Sequence, residues 1–270
     1  MKKLIFLSLI AVLAGSACQK TAEVVAPKVP PPVADPGIPI TCNENCAEGV
    51  YAYHLNGRLY LYGGDDPSWD FDITDWLLEL PQVNGYGYDR ESIKALTQPV
   101  YQAIQEEAER FDADEPVIYL HTEAGVKVFP YSLISYHEVV NDVAYGHPVM
   151  IAYCYLADLA AVYSREYCGQ TLTFALSGYT YSAPDIWKGR NGFVLWDRDT
   201  ESLWWPLIDR AVSGPMQGAS LKTFNTQKWG LSTWGEMLEE YPDGLVLKQG
   251  QDPNPPTDWP VLEEGDLDCN

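Results

Sequence analysis

Positive charge is scarce in this chain: 17 Lys and Arg stand against 38 Asp and Glu, a formal net charge of −21. A surface of that sign repels phosphate backbones and anionic headgroups, so nucleic acid is excluded as a partner. Gly-rich phosphate loops, a Gly-x-Ser-x-Gly nucleophile turn and paired Cys-x-x-Cys zinc motifs are all absent, which removes the enzyme classes those motifs identify. The segment His137-Glu138-Val139-Val140-Asn141 stops one imidazole short of the zinc-protease pattern, because Asn141 stands where the second histidine must be. No stretch beyond the N-terminus approaches the ~20 apolar residues that a bilayer span requires.

The N-terminus itself is apolar. Met-Lys-Lys precedes a run over residues 4–14 broken only by Ser8, the pattern of a basic n-region and a secretory h-region. Ala14, Gly15, Ser16 and Ala17 lead into Cys18, small residues beside a thiol, as processing and acylation of a lipoprotein require. Residues 1–17 are therefore expected to be a signal peptide and Cys18 the palmitate-bearing lipid anchor. Gly15 occupies the place where Leu is usual, and an ordinary signal peptide cut nearby is the alternative. The expected localisation is extracytoplasmic, with the membrane engaged through the lipid. Gln19 rather than Asp after the anchor favours the outer membrane in a cell that has two.

Residues 18–41 carry Pro27, Pro30, Pro31, Pro32, Pro36 and Pro39 and are expected to form an extended tether. Residues 42–248 form one β-rich domain, for which a hydrophobic content of 46% supplies a core without staples. Residues 249–270, with Pro253, Pro255, Pro256 and many carboxylates, read as a disordered acidic tail. Of six cysteines, five remain once Cys18 is lipidated. An odd number leaves at least one thiol unpaired. Cys42, Cys46 and Cys269 lie in or beside flexible segments and are free to pair, whereas Cys154 follows an apolar run and is the expected free thiol.

Asn56-Gly57 between residues 50–55 and 58–62 is a hairpin signal, since both turn residues tolerate positive φ. Residues 67–87 lack a clear period, and Ile104, Ala108 and Phe111 within 90–111 recur at helical spacing. Residues 117–120 and 126–129 read as strands, with a short helix or turn over 131–140. Residues 148–153 are a buried-strand candidate, and 159–165 and 171–176 are expected to pair around Cys168-Gly169. Residues 193–196 and 202–205 pair across 197–200, residues 220–224 supply a further strand, and Thr233 with Glu236 forms a capping box for a last helix. Many short strands and few helices indicate an α+β fold, predominantly antiparallel β-sheet with peripheral helices.

Three features bear on chemistry. Asp65, Asp66, Asp70, Asp72 and Asp75 offer hard oxygen ligands to calcium, but the glycine and terminal glutamate of a calcium loop are missing. Trp187, Trp196, Trp204, Trp205, Trp229 and Trp234 suit either a sugar-stacking surface or the core. Cys154 and His137 form the most informative pair, because imidazole can take a thiol proton and a thiolate is both a nucleophile and a soft-metal ligand, for copper among others.

The ordered segments His137 to Asp142, Pro148-Val149-Met150-Ile151-Ala152-Tyr153-Cys154, Thr171-Leu172-Thr173-Phe174 with Ser177-Gly178, Trp196-Asp197-Arg198, Ser202-Leu203-Trp204 and Thr233-Trp234 resemble the bacterial and archaeal family called domain of unknown function 3179. The resemblance covers about residues 86–247. It implies extracytoplasmic placement and redox-capable chemistry at a Tyr-Cys-x-Leu motif, here Tyr153-Cys154-Tyr155-Leu156. A vicinal dithiol is ruled out, since no second cysteine follows. The expected site is thus Cys154 near His137, a one-thiol or soft-metal centre, with Glu138, Asn141, Asp142, Ser177, Asp197, Arg198 and Trp204 as binding residues. The alternative is a non-enzymatic module that binds envelope glycan or protein through exposed aromatics.

Overall fold

Asn56 and Gly57 adopt φ of 52° and 82° and turn β1 (Ala52–Leu55) onto β2 (Arg58–Leu61), the hairpin that the dipeptide predicts. The computed structural model describes residues 51–85, 88–253 and 262. All belong to the unit Pro32–Asn270. The signal peptide, Cys18, the tether, Cys42, Cys46, Cys269 and nearly all of the acidic tail lie outside the described residues.

The chain continues through β3 (Phe71–Asp72), β4 (Val83–Gly85) and β5 (Tyr101–Ala103), then the hairpin β6 (Pro116–Thr122) and β7 (Gly125–Pro130). The helix α1 (Tyr131–Ile134) precedes β8 (Val139–Ala144), β9 (His147–Cys154) and β10 (Leu159–Ser164). A small hairpin of β11 (Glu166–Tyr167) and β12 (Gln170–Thr171) leads into β13 (Phe174–Tyr181), β14 (Gly192–Asp197), β15 (Leu203–Trp205) and β16 (Arg210–Ala211). The chain ends in β17 (Trp229–Thr233), α2 (Trp234–Glu240) and β18 (Leu245–Leu247). Apart from the parallel pair β7–β18, the strand pairs among the described residues are antiparallel, so the sheet-dominated α+β fold expected from the sequence is the one observed.

Two five-stranded sheets, β16-β15-β14-β13-β4 and β17-β6-β7-β18-β5, flank the three-stranded sheet β10-β9-β8. The central sheet is apolar on both faces, which explains the unbroken hydrophobic run in β9. Met150, Ala152 and Cys154 enter the core shared with β13, β14 and β15, whereas Val149, Ile151 and Tyr153 enter a second core with Ile118, Leu120 and Phe129. Alternation along one strand thus decides that the Cys154 thiol faces β14. On its far face the β6–β7 sheet packs Val117, Val128 and Val246 against Trp234 and Met237 of α2. Thr233 caps α2 in a full capping box with Glu236.

Three expectations are corrected. The helix over 90–111 is replaced by β5 and a short 3-10 turn, Ile104–Glu107, because β5 finds a partner in β18 and Ile104 alone of the periodic set is fully buried. Cys168-Gly169 turns the short β11–β12 pair, while β10 pairs with β9 instead. Residues 220–224 make only isolated bridges, Arg210 with Ser220 and Tyr163 with Thr223.

Candidate functional site

Cys154 ends β9 and is fully buried. The Phe193 amide donates to its Sγ at 3.4 Å. Burial pushes the thiol above its usual range, against the lowering influence of the backbone amides of Ala157, Phe193 and Leu156, and the Glu138 carboxyl adds to the rise. Glu138 is 5% exposed and sits in a left-handed conformation, φ 56°, between α1 and β8. Its carbonyl accepts from the Tyr153 amide at 2.9 Å, which anchors it beside the end of β9. Burial pushes its carboxyl up to about 7.

His137 is turned to another task. Its Nδ1 lies 2.8 Å from the Lys94 carbonyl, and burial lowers its basicity against that bond. Among the groups that move the Cys154 thiol, none is an imidazole. Among the described residues no group of three His, Cys, Asp or Glu side chains stands where it could hold a metal ion. The acidic cluster shares in this: Asp66 caps a 3-10 turn through Ser68, Asp70 accepts from Tyr53 and Gly63, and Asp72 accepts from Thr74 and pairs with Arg58. Among the described residues Cys154 is the free thiol, and Cys168 is disulfide-bonded.

The remaining motif residues form a buried polar seam. Asn141 donates to the Phe174 and Leu96 carbonyls and accepts from the Phe174 amide, joining β8 to β13. Asp142 accepts from Lys127 at 2.7 Å and from Tyr101 at 2.5 Å. Ser177 donates to the Val194 carbonyl beside a bulge in β13. Arg198 forks onto both oxygens of Glu91 at 2.6 and 2.5 Å, a buried bidentate pair.

Asp197 organises the β14–β15 turn. It accepts from Trp204 Nε1 at 2.7 Å and from the Thr200 amide at 2.7 Å, and Thr200 Oγ1 lies within 2.8 Å of both its oxygens. Burial pushes this carboxyl up to about 7 against those donors. Thr200 Oγ1 reaches Ser202 Oγ at 2.7 Å, and Ser202 in turn accepts the Met216 amide at 3.0 Å. The seam therefore fixes two walls of a surface cleft, Thr200-Glu201 on one side and residues 213–217 on another.

That cleft encloses about 570 Å³, with Arg58, Asp70, Asp72, Thr74, Asp75 and Trp76 completing the lining. Gln217 Nε2 donates to the Asp75 carbonyl at 2.6 Å and the Leu77 amide to the Val212 carbonyl at 2.9 Å, which close one end. Although burial opposes it, bonds from Thr74 and Arg58 hold Asp72 below the usual carboxylate range. Burial pushes Asp70 and Glu201 upward instead. Glu201 is held 3.0 Å from Arg90, whose guanidinium lies 4.3 Å over the Trp196 ring.

Of the candidate tryptophans, Trp196, Trp204, Trp205 and Trp234 are core residues and Trp229 is half-buried; Trp187 is exposed. Trp76, which the sequence did not single out, is the indole at the cleft. Arg90, Glu91 and Glu201 were also missed, since an ion pair between residues 107 apart leaves no local pattern.

Fold and site define a sheet-dominated α+β domain whose polar seam holds an acid-lined cleft. A family model described as protein of unknown function (DUF3179) matches residues 90–255, and the chain belongs to that family. No curated protein and no solved structure matches the chain.

Proposed function

We propose that the protein is a lipid-anchored, extracytoplasmic binding module that holds a hydroxyl-rich envelope glycan in the cleft between Asp72 and Gln217. The observation that carries this proposal is the convergence of Asp197, Thr200 and Ser202 on two cleft walls. Buried hydrogen bonds that fix a surface loop limit what it loses in ordering when a ligand arrives. The volume lies within the roughly 300–1,000 Å³ of small-ligand sites. Four carboxyl groups, Asp70, Asp72, Asp75 and Glu201, face one lining guanidinium, Arg58, so the cleft favours a ligand rich in hydrogen-bond donors. Sugar hydroxyls meet that demand, and the Trp76 indole offers an apolar face for a pyranose ring.

The N-terminal sequence supports the location. A Pro-rich spacer rises about 3.1 Å per residue, so a tether over residues 18–41 lets the domain reach tens of ångströms above a lipid anchor at Cys18. Co-sedimentation of the full mature chain with purified cell-wall sacculi tests the proposal. Wild type should pellet with the glycan and Asp75→Ala with Trp76→Ala should remain in solution. Equal sedimentation of both, with both folded, would refute the assignment to this cleft.

A further inference from the structure

A second cavity lies apart from the cleft, where β4 pairs with β13. It encloses about 480 Å³, and its lining includes Pro81, Gln82, Asn84, Ser182, Pro184 and Lys188. Strand alternation explains the polar floor. Val83 and Tyr181 belong to the core, so Gln82 and Asn84, with Thr180 and Ser182 across from them, share the opposite face. Two buried polar atoms on that face lack partners: Gln82 Oε1, and Thr180 Oγ1, whose residue is 8% exposed and stands opposite Asn84. Native structures leave few such atoms, because each forgoes the bond it had with water. Asn84 Nδ2 donates to the Gln82 carbonyl at 3.3 Å and to Asn191 Oδ1 at 3.2 Å, which fixes the amide while its Oδ1 receives no bond from a described residue.

Lys188 supplies the charge. Trp187, Lys188 and Gly189 take φ of 45°, 57° and 75°, three left-handed residues in succession, of which only the glycine adopts that conformation without strain. The turn is held by the Gly189 amide on the Ile186 carbonyl at 2.9 Å and the Arg190 amide on the Trp187 carbonyl at 3.2 Å. Lys188 is the one charged residue of the lining, and no described carboxylate pairs with it. Within a chain of net charge −21, this pocket therefore accepts an anion where the acid-lined cleft rejects one.

We propose that this cavity binds the C-terminal end of a short peptide, with the terminal carboxylate on Lys188 and backbone N–H groups on the side-chain carbonyls of Gln82 and Asn84. A C-terminal residue carries its carboxylate and its amide N–H on one Cα, so a single small ligand supplies both kinds of partner. Inorganic sulfate would pair with the lysine but brings no donor. A neutral sugar brings donors but leaves the lysine without a counter-charge. Pro81 and Pro184 add apolar surface for a small aliphatic side chain.

Calorimetric titration of the full mature chain, in detergent, with N-acetyl-Ala-Ala in its L and D forms tests the proposal against the C-terminal amide of the same peptide. The acid should bind in at least one form, and the amide about tenfold more weakly or worse, since it cannot pair with the ammonium. Lys188 is exposed, so Lys188→Gln should fold normally and bind acid and amide alike. Gln82→Leu keeps the volume and should weaken both, because the acceptor of the ligand N–H is gone. Neither residue lines the cleft, so glycan binding there should be unchanged in both variants. No binding of either form by the folded wild type, equal affinity for acid and amide, discrimination retained in Lys188→Gln, or full affinity in Gln82→Leu would each overturn it.

Discussion

At the scale of single residues, buried carboxyls govern how this domain responds to pH. Glu138 and Asp197 both titrate near 7 in the folded chain, above the ordinary carboxylate range. A folded value above the unfolded one means that the folded state holds the proton more tightly. The associated stability is fully present below about pH 4 and is lost as pH rises through 7. Urea midpoints should therefore fall between pH 5 and pH 8. Glu138→Gln removes the ionisation, fits the same space and should flatten that slope, gaining about 2–3 kcal/mol at pH 8. An unaltered slope would show that Glu138 is not desolvated as described. Asp197→Ala has the opposite sign. It leaves Trp204 Nε1 and the Thr200 amide as buried donors without an acceptor, and should cost about 3 kcal/mol by chemical denaturation.

Elements show where sequence suffices and where it does not. The hairpins at Asn56-Gly57, at 123–125 and across 197–200, and the Thr233 capping box, were legible because each depends on a few adjacent residues. The run over 148–153 was legible as a buried strand, but its two different cores were not, since they are set by sheets distant in the chain. The segment 90–111 misled because helical spacing of three apolar residues cannot compete with a waiting strand edge on β18. At the site, Cys154 stood out by residue type and by the odd cysteine count. Its amide donors and Glu138 become visible only when β8, β9 and β14 are assembled. The bulge in β13 supplies an element-scale prediction. Gly178 holds φ 86°, and a Cβ there would stand 2.5 Å from the Tyr88 carbonyl oxygen. Gly178→Ala should thus destabilise by about 2 kcal/mol or more, readable as a lowered melting temperature, whereas Gly146→Ala has open space and should bear only the smaller backbone strain.

For the whole molecule, the proposed function joins anchor, tether and domain in one arrangement: a lipid at Cys18 would fix the chain to a membrane, the proline-rich residues 18–41 would set its reach, and the negative charge would keep the domain off anionic headgroups. Replacing Cys18 with Ser should move the protein out of the membrane fraction, because the proposed lipid is what would hold it there. Retention in the membrane fraction would contradict the lipid anchor. The seam around Asp197 links the family's motif residues to the cleft, so the region matched by the family model builds two cleft walls while β2, β3 and the residues just after them contribute the rest. The most direct test of the binding role is calorimetric titration of the full mature chain, in detergent, with soluble oligosaccharides released from sacculi. The account predicts saturable heat for wild type, heat reduced at least tenfold in affinity for Trp76→Ala, and unchanged binding for Trp187→Ala, whose indole is exposed away from the cleft lining. No heat with the folded wild type, or equal affinity in wild type and Trp76→Ala, would contradict it.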